Sequence, residues 1–165
     1  MAFDCFLKVK DVDGESTDKN HENWIELLSY SHGVSQPSSG SASSGGARSA
    51  ERCDHQDFSI VKTLDKASPR LNLYCCNGKH VDEVKIELCR ATGDKQKYME
   101  YIMTDVIITS VRPGGSAQGG EALPLEEVSF NYGKIQWIYT PTSHKTGKPE
   151  GAVPTFWDLE SNSGG

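Results

Sequence analysis

The stretch from Leu123 to Thr140, L-P-L-E-E-V-S-F-N-Y-G-K-I-Q-W-I-Y-T, constrains the chain most. Val128, Phe130 and Tyr132 alternate with Ser129, Asn131 and Gly133, the period-two pattern of a strand with one buried face. After Gly133 the bulky set moves to Ile135, Trp137 and Tyr139. A phase slip centred on a glycine predicts a β-bulge there, where one extra residue bends a long strand and turns its other face inward. Barrels and strongly coiled sheets need such strands at their corners. The polar positions are scattered Ser, Asn, Lys and Gln, so the stretch reads as scaffold and not as chemistry.

The remaining segments follow the same pattern. Phe3, Cys5, Leu7 and Val9 share one face of a first strand, and Asp11 to His21 is a polar loop containing Gly14-Glu15-Ser16-Thr17-Asp18. Trp24 to Val34 reads as one strand, with Trp24, Leu28 and Tyr30 on one side and Ile25, Leu27, Ser29 and Ser31 on the other. Phe58, Ile60 and Leu64 mark a third strand. Val84, Ile86 and Leu88 alternate with Glu83, Lys85 and Glu87 in another. After a turn at Thr92-Gly93-Asp94 comes a strand from about Lys97 to Val111, apolar on both faces from Ile102 onward; it calls for cover on both sides or contact with another chain. Val153 to Leu159 fits a short edge strand. The one helix signal begins at Ser68-Pro69, an N-cap followed by proline, continues through Leu71, Tyr74 and Cys75, and stops at Asn77-Gly78. The expected fold is mostly β with one short helix, a compact barrel or two-sheet sandwich, in a single domain over residues 1–165.

From Ser35 to Ala50 the chain is almost entirely Ser, Gly and Ala, too poor in apolar surface to offset the entropy of ordering it. A mobile loop at about residues 35–53 is expected. A linker between two domains is the other reading, but the residues before it are too few for a separate core.

Composition excludes several classes. The formal net charge of -6 provides no basic face for phosphates, so no nucleic-acid partner is expected. No apolar run approaches the roughly 20 residues that cross a bilayer, and the opening M-A-F-D-C-F-L-K-V-K lacks the pattern of a signal peptide. Five cysteines, without a C-x-x-C pair, fit a reduced cytosolic upbringing. No catalytic set emerges. The glycine-rich run Gly114 to Gly120 lacks the Lys-Ser/Thr and the helix of a phosphate loop, and no nucleophile elbow is present. Glu126 and Glu127 are strand neighbours that point to opposite faces. Cys53, His55, Cys75, Cys76 and His80 have no zinc-site spacing, so neither a metal nor another cofactor is expected. His21, His32, His80 and His144 are read as surface or loop residues. An aromatic strand, Trp137 to Tyr139, keeps a second reading open: a monomeric carbohydrate-binding β-sandwich.

Several phrases in order resemble one family. Gly14-Glu15-Ser16 follows the first strand, Asp65-Lys66-Ala67-Ser68-Pro69 opens the helix, and Gly78-Lys79-His80 closes it. Pro113-Gly114-Gly115 then precedes Leu125-Glu126-Glu127-Val128-Ser129-Phe130-Asn131-Tyr132-Gly133-Lys134-Ile135. From about Phe3 to Pro141 the chain resembles the Hcp family, the haemolysin-coregulated proteins of the type VI secretion system. The resemblance implies a small β-barrel of two sheets flanked by one short α-helix that assembles into six-membered rings. The rings stack into a hollow inner tube that meets a spike at its tip and a contractile sheath around it. The tube is exported without a signal peptide and carries effector proteins in its lumen. It implies no catalytic residues, and the Ser35 to Ala50 segment is the least family-like part. With that assembly in view, Ser29 and Ser31 are expected to face the lumen. Gly14, Glu15, Ser16, Thr17 and Asp18, with Ser38, Ser39 and Gly40, are expected in loops that touch the next ring.

Overall fold

A computed structural model describes residues 2–39, 49–50, 52–91, 93, 95–120 and 123–165. In chain order the elements are β1 (Phe3–Val9), β2 (Ile25–Leu27), β3 (Ser29–Ser31), β4 (Val34–Ser35), β5 (Ser38–Ser39), β6 (Ser49–Ala50), β7 (Asp54–His55), β8 (Phe58–Thr63), α1 (Ser68–Asn77), β9 (Val81–Arg90), β10 (Lys97–Gly114), β11 (Leu125–Tyr139), β12 (Val153–Asp158) and β13 (Ser163–Gly164). The fold is mostly β with one short helix, as the pattern predicts. The two expected sheets are one nine-stranded antiparallel sheet in the order β13-β12-β11-β10-β9-β1-β2, with β8 against β11 and β3 against β8. Its two flanks meet through covalent chain and not through an unbroken ladder. β2 pairs with β1 and β3 with β8, and between them the Leu28 amide donates to the Val61 carbonyl at 2.8 Å.

The long strand makes this possible. One edge of β11 pairs with β10 along its length, and the other is shared: Leu125–Phe130 pairs with β8, while Lys134–Tyr139 pairs with β12. The inward face changes at the junction between those halves. Glu126, Val128, Phe130 and Tyr132 are buried, and then Ile135 is. The neighbours change phase at the same level, from Met103 to Val106 on β10 and from Val81 to Val84 on β9. The result is a crease across three strands, with Asp105 in the left-handed region (φ 53°) opposite Gly133, where an added Cβ would lie 3.4 Å from the Asp105 Cβ. Aspartate tolerates that conformation better than most residues. The bulge expected at Gly133 is absent, because the β10–β11 register is the same on both sides of it. The register shift lies farther along, between Ile108 and Ser110 on β10.

The predicted strand from Trp24 to Val34 also breaks. Ile25 and Leu27 are buried, Leu28 is exposed, and Tyr30 then turns inward while Ser29 and Ser31 face out. The expected grouping of Ile25 and Leu27 with the two serines is therefore corrected: the chain switches neighbour at Leu28, and its inward face switches with it. The ends of the Ser-rich segment are paired, β4 with β7 and β5 with β6. Gly40, Thr92 and Asp94 lie outside the described residues.

The helix stops as predicted, with Gly78 left-handed (φ 63°) and its amide bonded to the Tyr74 carbonyl. Its start differs. Ala67 is the N-cap, and the Asp65 carboxylate accepts from the Ala67 amide at 3.0 Å. Ser68 is committed elsewhere. Its hydroxyl donates to Glu126 Oε2 at 2.6 Å and accepts from Lys62 Nζ at 3.1 Å. Lys62 also donates to Asp65 Oδ1 at 2.9 Å and to Glu126 Oε2 at 3.2 Å. Lys62 and Glu126 are both fully buried and are cross-strand partners in the β8–β11 ladder. This network ties the helix start to two strands. Leu71 and Tyr74 meanwhile join the apolar core with Phe58, Ile60, Val106 and Phe130.

A buried pair broken on one side leaves a charge without compensation. Lys62→Met should therefore cost about 3–5 kcal/mol in urea denaturation, while the double variant Lys62→Met/Glu126→Leu should recover much of that loss. An unchanged midpoint in Lys62→Met would show that the network carries no stability.

Candidate functional site

No convergent catalytic group is found among the described residues; what the surface offers is apolar area and one packed outer cluster. Inside, Tyr30, His32, Phe58 and Tyr101 form an aromatic cluster, with Phe58 5.1 Å from His32 and 5.2 Å from Tyr101 between ring centres. His32 continues it toward Tyr132 and Trp137. The β4–β7 arm docks on its rim, where His55 Nδ1 lies 2.8 Å from the Tyr132 hydroxyl and the His55 ring stacks on Trp137. Between that arm and the β11–β12 hairpin is a cavity of about 520 Å³, lined by Val34, Arg52, Cys53, Trp137, Phe156 and Trp157 among others. Tyr139 and Val153, the last register partners of the β11–β12 ladder, are 47% and 59% exposed. Phe3, Leu28, Leu73 and Leu123 are further large apolar side chains left to solvent.

The residues singled out from the sequence fall into distinct environments. Ser29 and Ser31 are exposed on either side of the inward Tyr30. The loop from Gly14 to Asp18 is no free arm. Gly14 is packed on the backbone of Trp24 and Ile25, its amide donating to the Asn23 carbonyl at 2.7 Å. Ser16 is buried and its hydroxyl accepts from the Asp18 amide at 3.2 Å, leaving Glu15 and Thr17 exposed. Ser38 and Ser39 lie in β5. Of the histidines read as surface residues, His21 is buried and His32 half-buried. His80 does lie at the surface, its Nδ1 2.8 Å from Asp105 Oδ1.

His21 is held from four sides. Its ring stacks on Phe6 at 4.1 Å and meets Trp24 edge-on at 4.8 Å. Nδ1 lies 2.7 Å from Asp18 Oδ2 and Nε2 2.5 Å from Glu87 Oε2. The hydrogen bond from His21, followed by that from Lys95, holds the Asp18 carboxyl below its ordinary range. Lys97 reaches both Glu100, at 2.7 Å, and Glu87, at 3.4 Å. Sequence reasoning missed this cluster because its members come from four separate segments. The available signal was Phe6, a large aromatic residue in the outward phase of β1 that needs a cover.

Comparison with known proteins gives a consistent picture. A family described as "Type VI secretion system effector, Hcp" matches residues 6–139. "Protein hcp1" of Pseudomonas aeruginosa is 38% identical over 163 residues, covering 98% of each chain. Among solved structures, one described as a type six secretion system protein superposes with a TM-score of 0.92 at 31% identity, covering 99% of this chain and 100% of the other. Hcp1 from Salmonella typhimurium follows with a TM-score of 0.81 at 30% identity, covering 99% of each.

The arm contact has a pH signature. Burial first, and then the neighbouring His55, hold His32 below the ordinary imidazole range; burial does the same for His55. Both rings stay neutral in the folded chain at pH values where the unfolded chain takes up protons. Their contribution to stability is complete above the unfolded value of about 6.5 and is lost as pH falls from there through the lower folded values. Melting temperature should drop between pH 7.5 and 5, and His32→Gln with His55→Gln should flatten that slope. An equal slope in the double variant would assign the acid sensitivity elsewhere.

Proposed function

The chain belongs to the Hcp family of type VI secretion system proteins, and from that premise we propose that six copies close into a ring and that the rings stack into the inner tube. The tube-protein role is structural, and no catalytic step is assigned to it. The observation that most supports assembly is the exposed apolar surface on a well-packed body, above all the Tyr139–Val153 pair that ends the β11–β12 ladder. Large apolar residues grouped at a rim are normally covered by a partner. A head-to-tail contact between copies closes into a ring when its rotation allows, and continues as a tube when rings also meet axially.

In this reading the spike protein caps the tube, the contractile sheath surrounds it, and effector proteins travel in its lumen. The chain waits in the cytoplasm and leaves through the type VI machine. Ser29 and Ser31, exposed short hydroxyls on β3, line the lumen. Axial contacts fall to the exposed members of the Gly14-to-Asp18 loop, Glu15 and Thr17, and to the arm at Ser38, Ser39 and Gly40. Gly14, Ser16 and Asp18 hold that loop in shape for its contact.

Native mass spectrometry should give a hexamer, and Tyr139→Asp/Val153→Asp should reduce it to monomer without loss of far-ultraviolet circular dichroism. Deleting residues 38–46 should leave rings but remove stacks on electron-microscope grids. A wild-type chain that stays monomeric at every concentration would refute the ring and shift the weight to the glycan-binding reading. Ser31→Trp should keep the ring and lower effector co-purification several-fold; unchanged cargo would place Ser31 outside the lumen.

A further inference from the structure

Glu87 and Cys89 lie two residues apart on the outward face of β9, and the segment between β1 and β2 lays His21 over them. The ligand atoms of His21, Glu87 and Cys89 all lie within 4.8 Å of one another, and they are the one such grouping among the described residues. His21 and Cys89 are buried and Glu87 is partly exposed, which leaves one side for entry. None of these residues belongs to the set weighed from sequence spacing.

Three observations point to a cation. The Asp18 carboxylate engages His21 Nδ1 at 2.7 Å, the carboxylate–histidine arrangement that orients a metal-bound histidine and turns Nε2 toward the other donors. Nε2 faces Glu87 Oε2 at 2.5 Å and Cys89 Sγ at 3.9 Å, so nitrogen, oxygen and sulfur donors converge. The local charge is also unbalanced. Among the described residues, the four carboxylates of Asp4, Asp18, Glu87 and Glu100 pair with two lysines, Lys95 and Lys97, and with His21 at Asp18 and Glu87. An acidic surround of that kind draws a divalent cation toward the donors.

We propose that His21 Nε2, Glu87 and Cys89 bind a zinc ion, with Asp18 orienting the histidine from behind and a fourth position left to water. Mixed nitrogen, oxygen and thiolate donors select zinc among the common divalent ions. Bond lengths of about 2.0–2.3 Å in a tetrahedron put the nitrogen and sulfur about 3.5 Å apart and the nitrogen and oxygen about 3.3 Å apart. The first spacing is nearly present, and the second requires Glu87 to swing outward. On binding, Cys89 releases its proton to solvent, the proton shared between Nε2 and Glu87 leaves likewise, and that hydrogen bond gives way to two metal bonds. The ion then fastens the Gly14-to-Trp24 segment to β9. This inference rests on the local cluster and stands independently of ring assembly.

The test uses the whole chain, kept reduced by a phosphine, with cobalt(II) as the spectroscopic probe. One equivalent should produce the thiolate-to-cobalt charge-transfer band in the near ultraviolet, and zinc should abolish it by displacement. Cys89→Ser, nearly isosteric, should lose the band, while Cys53→Ser/Cys75→Ser/Cys76→Ser should retain it. Asp18→Asn should weaken zinc binding about 10- to 100-fold. Absence of the band in the wild-type chain overturns the proposal without any variant. So does a band that survives Cys89→Ser.

Discussion

The structure depends on keeping one continuous set of side chains inward while the sheet that carries them turns. Alternation along a strand fixes which residues point in, so a sheet that coils strongly must change phase or expose its core. Here the change is made together on β9, β10 and β11, along the line of Asp105 and Gly133. It is made again at Leu28, where the chain leaves β1 for β8. The cost is one left-handed aspartate and one exposed leucine. In return Phe58, Phe130, Ile135 and Met103 lie in one core, and burying each such side chain is worth about 1.5–3 kcal/mol.

The buried Lys62–Glu126 network has another task. A charged pair in a core adds little net stability, but a misplaced partner there is costly, so it favours one pairing over its neighbours. A slip of β8 against β11 by one residue would send Lys62 to the opposite face. Since Ser68 shares the network, the helix start is fixed along with the register.

Two coverings lie on the outer surface of the coiled sheet. The arm of β4 and β7 closes over the rim of the aromatic cluster, and the Gly14-to-Trp24 segment covers Phe6, Glu87 and Cys89. Both leave polar groups in partly dry surroundings: burial first shifts His32, His55 and Cys89 from their ordinary titration ranges, while hydrogen bonds from His21 and Lys95 lower Asp18. Among the described residues, the apolar pair Tyr139–Val153 has no such cover.

Local features were legible in the sequence. The period of two in β9 and β11, the phase slip beside Gly133, the helix stop at Gly78 and the opposite orientations of Glu126 and Glu127 all follow from backbone geometry over a few residues. Even Lys62 and Glu126 left a trace, as charges in the apolar phase with Ile60 and Val128. The tertiary structure alone decided that those two charges meet, that the register shift falls near Thr109 and not at Gly133, that the strand after Trp24 divides at Leu28, and that His21 lies between Asp18 and Glu87. The physical reason is one of range. Alternation and capping act between near neighbours, whereas register, burial of a histidine and convergence of ligands depend on which distant strands come to lie side by side.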